Sequence, residues 1–234
     1  MNKIKVERAV ILAAGLGSRM KPITNDLPKP LVKVLGKRII ETSIDALLAA
    51  KITDIYVVCG YLAEKFQCLK DKYPMLKFIV NEQYKEANNI SSILCAKNLI
   101  RNAYVVEGDL FLRNKNLITP TQTESNYLGI YTKHTDDWCL MTDNDGYINE
   151  IAVGGHDCYQ MVGISYWTAE DGEKLARHTD TVFNLPDGKN KYWDEVALSV
   201  FKSEYKIKVR ECTFEDVTEI DTLEELQALD SSYL

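Results

Sequence analysis

Six consecutive apolar residues, Ala9 to Ala14, run straight into Gly15-Leu16-Gly17-Ser18, and this junction constrains the fold more than any other part of the chain. The run is too short for a helix core and is closed by glycine, which reads as a strand buried on both faces. A glycine-bearing loop after such a strand exposes successive N–H groups that cradle oxyanions, and glycine admits a phosphate where a Cβ would block it. The chain leaves the loop with Arg19 and Lys21. Further on, Pro28-Lys29-Pro30 reads as an extended segment carrying another cation, because a residue before proline is pushed out of the helical region. Arg19 and Lys29 then bring full positive charge to one site, a triphosphate cradle. Two common phosphate motifs are excluded: Met20 stands where a dinucleotide fingerprint needs its third glycine, and no Gly-Lys-Ser/Thr ending forms a P-loop.

Downstream, apolar strands alternate with amphipathic segments. Arg38 to Lys51 carries Ile40, Ile44, Leu47 and Leu48 at helical spacing. Asp54 to Gly60 reads as a strand, Leu62 to Tyr73 as a helix, Lys77 to Val80 as a strand, Ile90 to Ile100 as a helix, and Ala103 to Glu107 as a strand ending at Gly108-Asp109. That rhythm implies right-handed crossovers and a mostly parallel, doubly wound α/β sheet, with ligands beyond the carboxyl ends of the strands. Gly15, Gly60 and Asp109 should therefore face one crevice. The rhythm changes after about residue 112. Asn126–Lys133, Trp138–Thr142, Tyr147–Val153 and Gln160–Trp167 read as strands, with Asp143-Asn144-Asp145-Gly146 as a hairpin turn. Thr168 with Asp171 caps a helix to His178, and 179–191 reads as a surface loop. Asp194–Lys202 reads as helical, Tyr205–Glu211 as a strand, and Thr222 with Glu225 caps the last helix. The expectation is one domain over 1–234: a nucleotide-binding half to about 112 and a small β-rich acceptor-side lobe beyond it.

A net charge of −6 argues against a general nucleic-acid surface, and makes the few cations near the glycine loop more telling. Six scattered cysteines without a Cys-x-x-Cys pair read as reduced core residues, and three histidines lack metal-ligand spacing. Lys3, Lys5 and Arg8 before the apolar run imitate a secretory signal, but the run is short and continues into the loop; no stretch reaches the roughly 18 apolar residues of a bilayer span. A cytoplasmic protein without membrane insertion is expected.

The string Leu12-Ala13-Ala14-Gly15-Leu16-Gly17-Ser18-Arg19, with Pro22, Thr24 and Pro28-Lys29-Pro30, resembles the opening of the nucleotidyltransferases that activate sugar phosphates and choline phosphate, a Rossmann-like fold. The resemblance implies in-line attack of a phosphate monoester on an α-phosphorus. The acceptor is already an anion near neutral pH, so positioning and charge neutralisation matter more than a general base. It places the nucleotide on Leu12, Ala14, Gly15, Gly17, Ser18, Arg19 and Lys29, with base and ribose at Gly60-Tyr61 and Asn88-Asn89. Asp109, just past a buried strand, could be a solvated turn residue, and Asp194 alone reads first as a helix N-cap. The resemblance instead makes both Mg²⁺ ligands, and Arg19, Lys29, Asp109 and Asp194 the catalytic set, with Glu107 as a supporting carboxylate.

The acceptor side is also informative. Sugar-phosphate relatives carry a Glu-Lys-Pro-like segment, whereas Ile148 to Gly155 holds neither lysine nor proline. Trp138, Tyr192 and Glu219 could instead surround a quaternary ammonium, which offers no hydrogen-bond donor and must be met by aromatic faces and anions. With Gly60-Tyr61-Leu62, Tyr192-Trp193-Asp194 and Glu219-Ile220-Asp221, the whole pattern resembles the bacterial CTP:phosphocholine cytidylyltransferases, implying CTP and phosphocholine as substrates. Glu107, Leu110 and Ser91 depart from that pattern. The same chemistry on phosphoethanolamine, an aminoalkylphosphonate or a sugar 1-phosphate, and a non-catalytic nucleotide-sensing domain, are the other readings.

Overall fold

The computed structural model describes residues 3–234. Its centre is a seven-stranded sheet built from β1 (Arg8–Ala13), β2 (Ile55–Cys59), β3 (Lys77–Val80), β4 (Ala103–Glu107), β6 (Asn126–Thr142), β7 (Ile148–Trp167) and β8 (Lys208–Cys212). The spatial order is β8-β6-β7-β4-β1-β2-β3. β1 pairs in parallel with β2 and β4, and β3 extends the parallel block beyond β2. β7 pairs antiparallel with both β4 and β6, while β6 and β8 are parallel, so the sheet is mixed. β5 (Leu110–Leu112) pairs with β9 (Val217–Glu219) in a separate ribbon that places Glu219 opposite Leu110.

Alternation along β1 explains why it is central. Ala9, Ile11 and Ala13 join one core layer with Ile44 and Leu47 of α1 (Ile39–Ala49). Val10 and Leu12 join the opposite layer with Ile90 and Ile93 of α2 (Ile90–Ala96) and Leu175 of α3 (Ala169–Phe183). Each valine, leucine or isoleucine among them contributes about 1.5–3 kcal/mol on burial. A third cluster puts Ile220 and Leu226 of α4 (Leu223–Leu229) over Met20 and Val34. All six cysteines are free thiols, with Cys68 and Cys95 exposed. Among the described residues no helix is long and apolar enough to cross a membrane.

Several local expectations change. The segment after Leu62 is not an α-helix but a 3₁₀ run, Ala63–Leu69, entered through Leu62 at φ +48°. The second helix ends at Ala96 and continues only as a 3₁₀ turn, Lys97–Leu99. α3 runs on to Phe183 instead of stopping at His178, because Thr179 and Val182 extend its buried stripe. The four short strands of the second half are two long ones, β6 and β7, interrupted by bulges between Thr135 and Trp138 and around Cys139–Met141. The predicted helix at 194–202 is a π-type turn, Val196–Val200, closed by Phe201 N–H donating to Val196 O at 3.0 Å. Lys29 sits in a 3₁₀ turn, Lys29–Leu31, not in an extended segment.

Candidate active site

The carboxyl ends of β1 and β4 open onto a cleft of about 340 Å³. The loop after β1 turns through Gly17 at φ +61°, a left-handed conformation that glycine accepts without strain. Thr24, fully buried, locks that turn by donating its hydroxyl to Gly17 O at 2.8 Å. Leu12, Ala14, Gly15, Gly17, Ser18, Arg19, Lys29 and Asn88, all expected at the nucleotide, line this cleft. Gly60 and Tyr61 do not. A Cβ on Gly60 would lie 2.8 Å from Ala14 O and from Tyr84 Cβ, so Gly60 is the close-packed support behind two wall residues. Tyr61 donates its N–H to Ala14 O at 3.1 Å and its hydroxyl to Asn25 O at 2.7 Å, bracing the loop from outside. Reasoning from sequence missed Asn81, buried beside the cleft, whose amide donates to Ser91 Oγ at 2.9 Å and Ser92 Oγ at 3.2 Å. A polar residue directly after the edge strand was the available signal.

At the floor, Lys29 Nζ lies 2.8 Å from Asp109 Oδ2 and 2.5 Å from Asp221 Oδ1, and Arg19 Nη2 lies 2.9 Å from the same Asp221 oxygen. Burial alone would depress the Lys29 pKa, but Asp109 and Asp221 outweigh it and hold the ammonium charged. For Asp221 burial pushes upward, yet Lys29 and Arg19 win and its carboxyl is lowered. Asp221 was absent from the expected site, although it closes the Glu219-Ile220-Asp221 string; Ile220 N–H donates to Asp109 O at 3.3 Å and brings the two aspartates together.

Carboxylate oxygens of Glu107, Asp109 and Glu219 lie within 4.8 Å of one another. Asp109 Oδ1 is buried and has no hydrogen-bond partner, an orphaned acceptor that a cation would satisfy. Burial, then the charges of Asp109 and Asp194, push Glu107 up to about 8. The trio thus has the hard oxygen donors a divalent ion takes. Two residues expected from the sequence stand close to this cluster. Asp194 is not one of the three. It is buried, accepts from Tyr127 Oη at 3.0 Å, and burial pushes its carboxyl up to about 6. Glu219, expected at an acceptor's ammonium, joins the trio and also lines a second cleft.

That cleft, about 630 Å³, adjoins the first at Arg19, Asn89 and Asp221. Trp138 and Tyr192 form its aromatic corner, edge to face with centroids 5.7 Å apart. A register shift between Thr135 and Trp138 precedes the point where Trp138 pairs with Val153 of β7. Asp137 also faces the cleft; its Oδ2 accepts from Gln160 Nε2 at 3.1 Å, and Gln160 Oε1 accepts from Thr135 at 3.1 Å. Asp194, Met161 and Phe214 contribute to the lining.

A glycine loop with cations, an acid cluster at its floor and a second cleft beside it make a site suited to nucleotidyl transfer. The family profile described as nucleotidyl transferase matches residues 8–130, and the chain belongs to that family. Its place within the family is among the cytidylyltransferases. The 2-aminoethylphosphonate cytidylyltransferase of Lancefieldella rimae is 37% identical over 97% of this chain and 93% of its own length. The choline-phosphate cytidylyltransferase of Streptococcus pneumoniae is 33% identical over 95% of this chain and 96% of its own. The solved structure of the CTP:phosphocholine cytidylyltransferase from Streptococcus pneumoniae superposes with a TM-score of 0.90 at 32% identity, covering 99% of this chain and all of that one.

Proposed function

We propose that this enzyme transfers a cytidylyl group from CTP to phosphocholine, giving CDP-choline and pyrophosphate. The observation that carries the reading is the Trp138–Tyr192 corner, which opens beside the cleft of the glycine loop and shares Arg19 and Asp221 with it. Aromatic faces attract a trimethylammonium without hydrogen bonds, and the nearby carboxyls add negative charge. The loop amides and Arg19 grip the triphosphate. Lys29, fixed between Asp109 and Asp221, supplies charge where two anions must approach. Glu107, Asp109 and Glu219 would hold Mg²⁺, which supplies charge neutralisation on phosphoryl oxygens. Asp194, beside them in the acceptor cleft, contributes field rather than a place in the trio.

A second reading has its own support. Asp137, oriented by Gln160, offers an acceptor to a primary ammonium, and a relative 37% identical acts, by name, on 2-aminoethylphosphonate. Comparing kcat/KM for phosphocholine, phosphoethanolamine, 2-aminoethylphosphonate and glucose 1-phosphate with CTP decides between them. Phosphocholine preferred at least tenfold supports the first reading; preference for either primary amine replaces it with the second. Preference for the sugar phosphate refutes both.

A further inference from the structure

Cys139 and Cys158 are both buried, on adjoining strands of the β6–β7 ladder. Cys139 pairs with Gln160, which puts Cys158 diagonally across from it. A Cβ built on Gly155 would lie 2.8 Å from the Cys139 sulfur and 3.0 Å from the Cys158 sulfur, so both sulfurs crowd one spot that glycine leaves free. The two thiols stand within hydrogen-bonding reach of each other. The ladder around them is irregular. Its register shifts between Thr135 and Trp138 and again from Cys139 to Met141, and β7 turns through Gly154 at φ +75° and Asp157 at φ +47°. Diagonal neighbours in an antiparallel ladder hold their Cβ atoms roughly 7 Å apart, whereas a disulfide needs about 3.8 Å. A bulged ladder yields to that contraction where a regular one resists. Two residues of the second cleft flank the pair. Trp138 precedes Cys139, and Gln160, two residues after Cys158, donates its amide to Asp137 at 3.1 Å.

We propose that Cys139 and Cys158 form a modification site: peroxide converts them to an intramolecular disulfide, which draws β6 and β7 together and displaces Trp138 and Gln160 at the second cleft. One thiolate attacks a peroxide oxygen. The O–O bond breaks, a sulfenic acid forms, and hydroxide leaves with that thiol's proton as water. The other thiolate attacks the sulfenic sulfur. The S–S bond forms, the S–O bond breaks, and the second hydroxide leaves with the remaining thiol proton. Two thiols lose two electrons in all, and one peroxide becomes two waters. Burial, the Cys158 thiol and the Glu150 carboxylate push the Cys139 thiol up to about 11, against the Ala152 N–H, so the first step is slow at neutral pH and quickens as pH rises. The link does not depend on which acceptor the cleft takes; only its effect on turnover rests on the acceptor reading.

The test uses the full chain carrying Cys68→Ser and Cys95→Ser, which removes the two exposed thiols, treated with hydrogen peroxide at about pH 9. Two of the remaining thiols should be lost, peptide mapping should join Cys139 to Cys158, and dithiothreitol should restore both. Tryptophan emission should change on oxidation, and the change should vanish in Trp138→Phe. The KM for phosphocholine should rise at least about threefold in the oxidised protein while the KM for CTP holds. Adding Cys158→Ala should abolish the link and the KM shift together. Thiols that survive the treatment, or sulfinic acid at either cysteine without a link, overturn the proposal. These readings come from the parent chain and stand even if Cys158→Ala folds poorly. A mapped link that leaves the emission unchanged overturns the displacement at the cleft. Reduced protein that turns over neither phosphocholine nor 2-aminoethylphosphonate overturns the acceptor reading alone, since link and emission are read without substrate.

Discussion

Lys29 is the residue on which most of the site's charge balance turns. Its ammonium is the only cation within reach of both Asp109 and Asp221 among the described residues. Lys29→Ala should lower kcat with CTP by about 10²–10³, the cost of removing one preorganised charge, and a steady-state pyrophosphate assay measures it. A loss below about threefold would remove Lys29 from the phosphate site. The same substitution leaves Asp109 without a cation and Asp221 with Arg19 alone. Both stay roughly a fifth exposed, so the loss of ligand-free stability should be on the order of 2 kcal/mol, below the 3–5 kcal/mol of a fully buried pair; urea unfolding reports it. Trp138→Ala should raise the KM for phosphocholine by roughly 30-fold, equivalent to about 2 kcal/mol of desolvated cation–π attraction, with little change for CTP. Gly60→Ala tests a residue placed at the base by resemblance and found by geometry behind the wall. Its Cβ would press Ala14 and Tyr84 into the cleft, so the KM for CTP should rise tenfold or more while the acceptor KM holds. Lys29 and Arg19 were readable because cations beside a glycine loop have few other uses. Asp109 and Glu107 were read at the metal, but Glu219 was not placed with them, because it lies far along the chain and is brought near by the β5–β9 pairing.

At the scale of elements, the parallel strands were legible because each is an apolar run with no competing period. The 63–69 segment was misread as α-helix because its buried residues, Phe66 and Leu69, are three apart. That spacing fits the three-residue turn of a 3₁₀ helix better than a 3.6-residue period. α3 looked shorter than it is because Thr179, a polar residue, is wholly buried on its inner stripe. This helix carries a pH-dependent joint. His178 stacks on Phe201 with centroids 3.9 Å apart, and its Nδ1 lies 2.8 Å from Tyr205 Oη. Burial lowers its pKa, and the opposing pull of Glu204 does not restore it. The unfolded chain then binds a proton more readily than the fold, so this contribution to stability is present above the ordinary value near 6.5 and is lost as pH falls toward the depressed one. Between pH 7.5 and 5.5 the raised carboxyls of Glu107 and Asp194 act in the opposite sense, so the comparison isolates His178: as pH falls, the urea midpoint of His178→Phe should shift upward relative to that of the wild type. An identical pH slope in the variant would show that His178 does not carry it.

The whole molecule joins two clefts across one mixed sheet, with the nucleotide side read from the first third of the chain. The acceptor side was harder to read because its wall comes from bulged strands and a loop. Asp137 and Trp138 are neighbours on β6, but Tyr192 comes from a loop some fifty residues on and meets Trp138 only in the fold. In the proposed reaction the glycine loop, Lys29 and the acid cluster act together on a nucleoside triphosphate. The most direct test is pyrophosphate release from CTP with phosphocholine or 2-aminoethylphosphonate, run with Mg²⁺, with EDTA, and with Asp109→Asn. Release that requires both the divalent ion and an acceptor, and falls at least a hundredfold in Asp109→Asn, is the expected result. Equal release in EDTA, or none from folded protein with either acceptor, would contradict it.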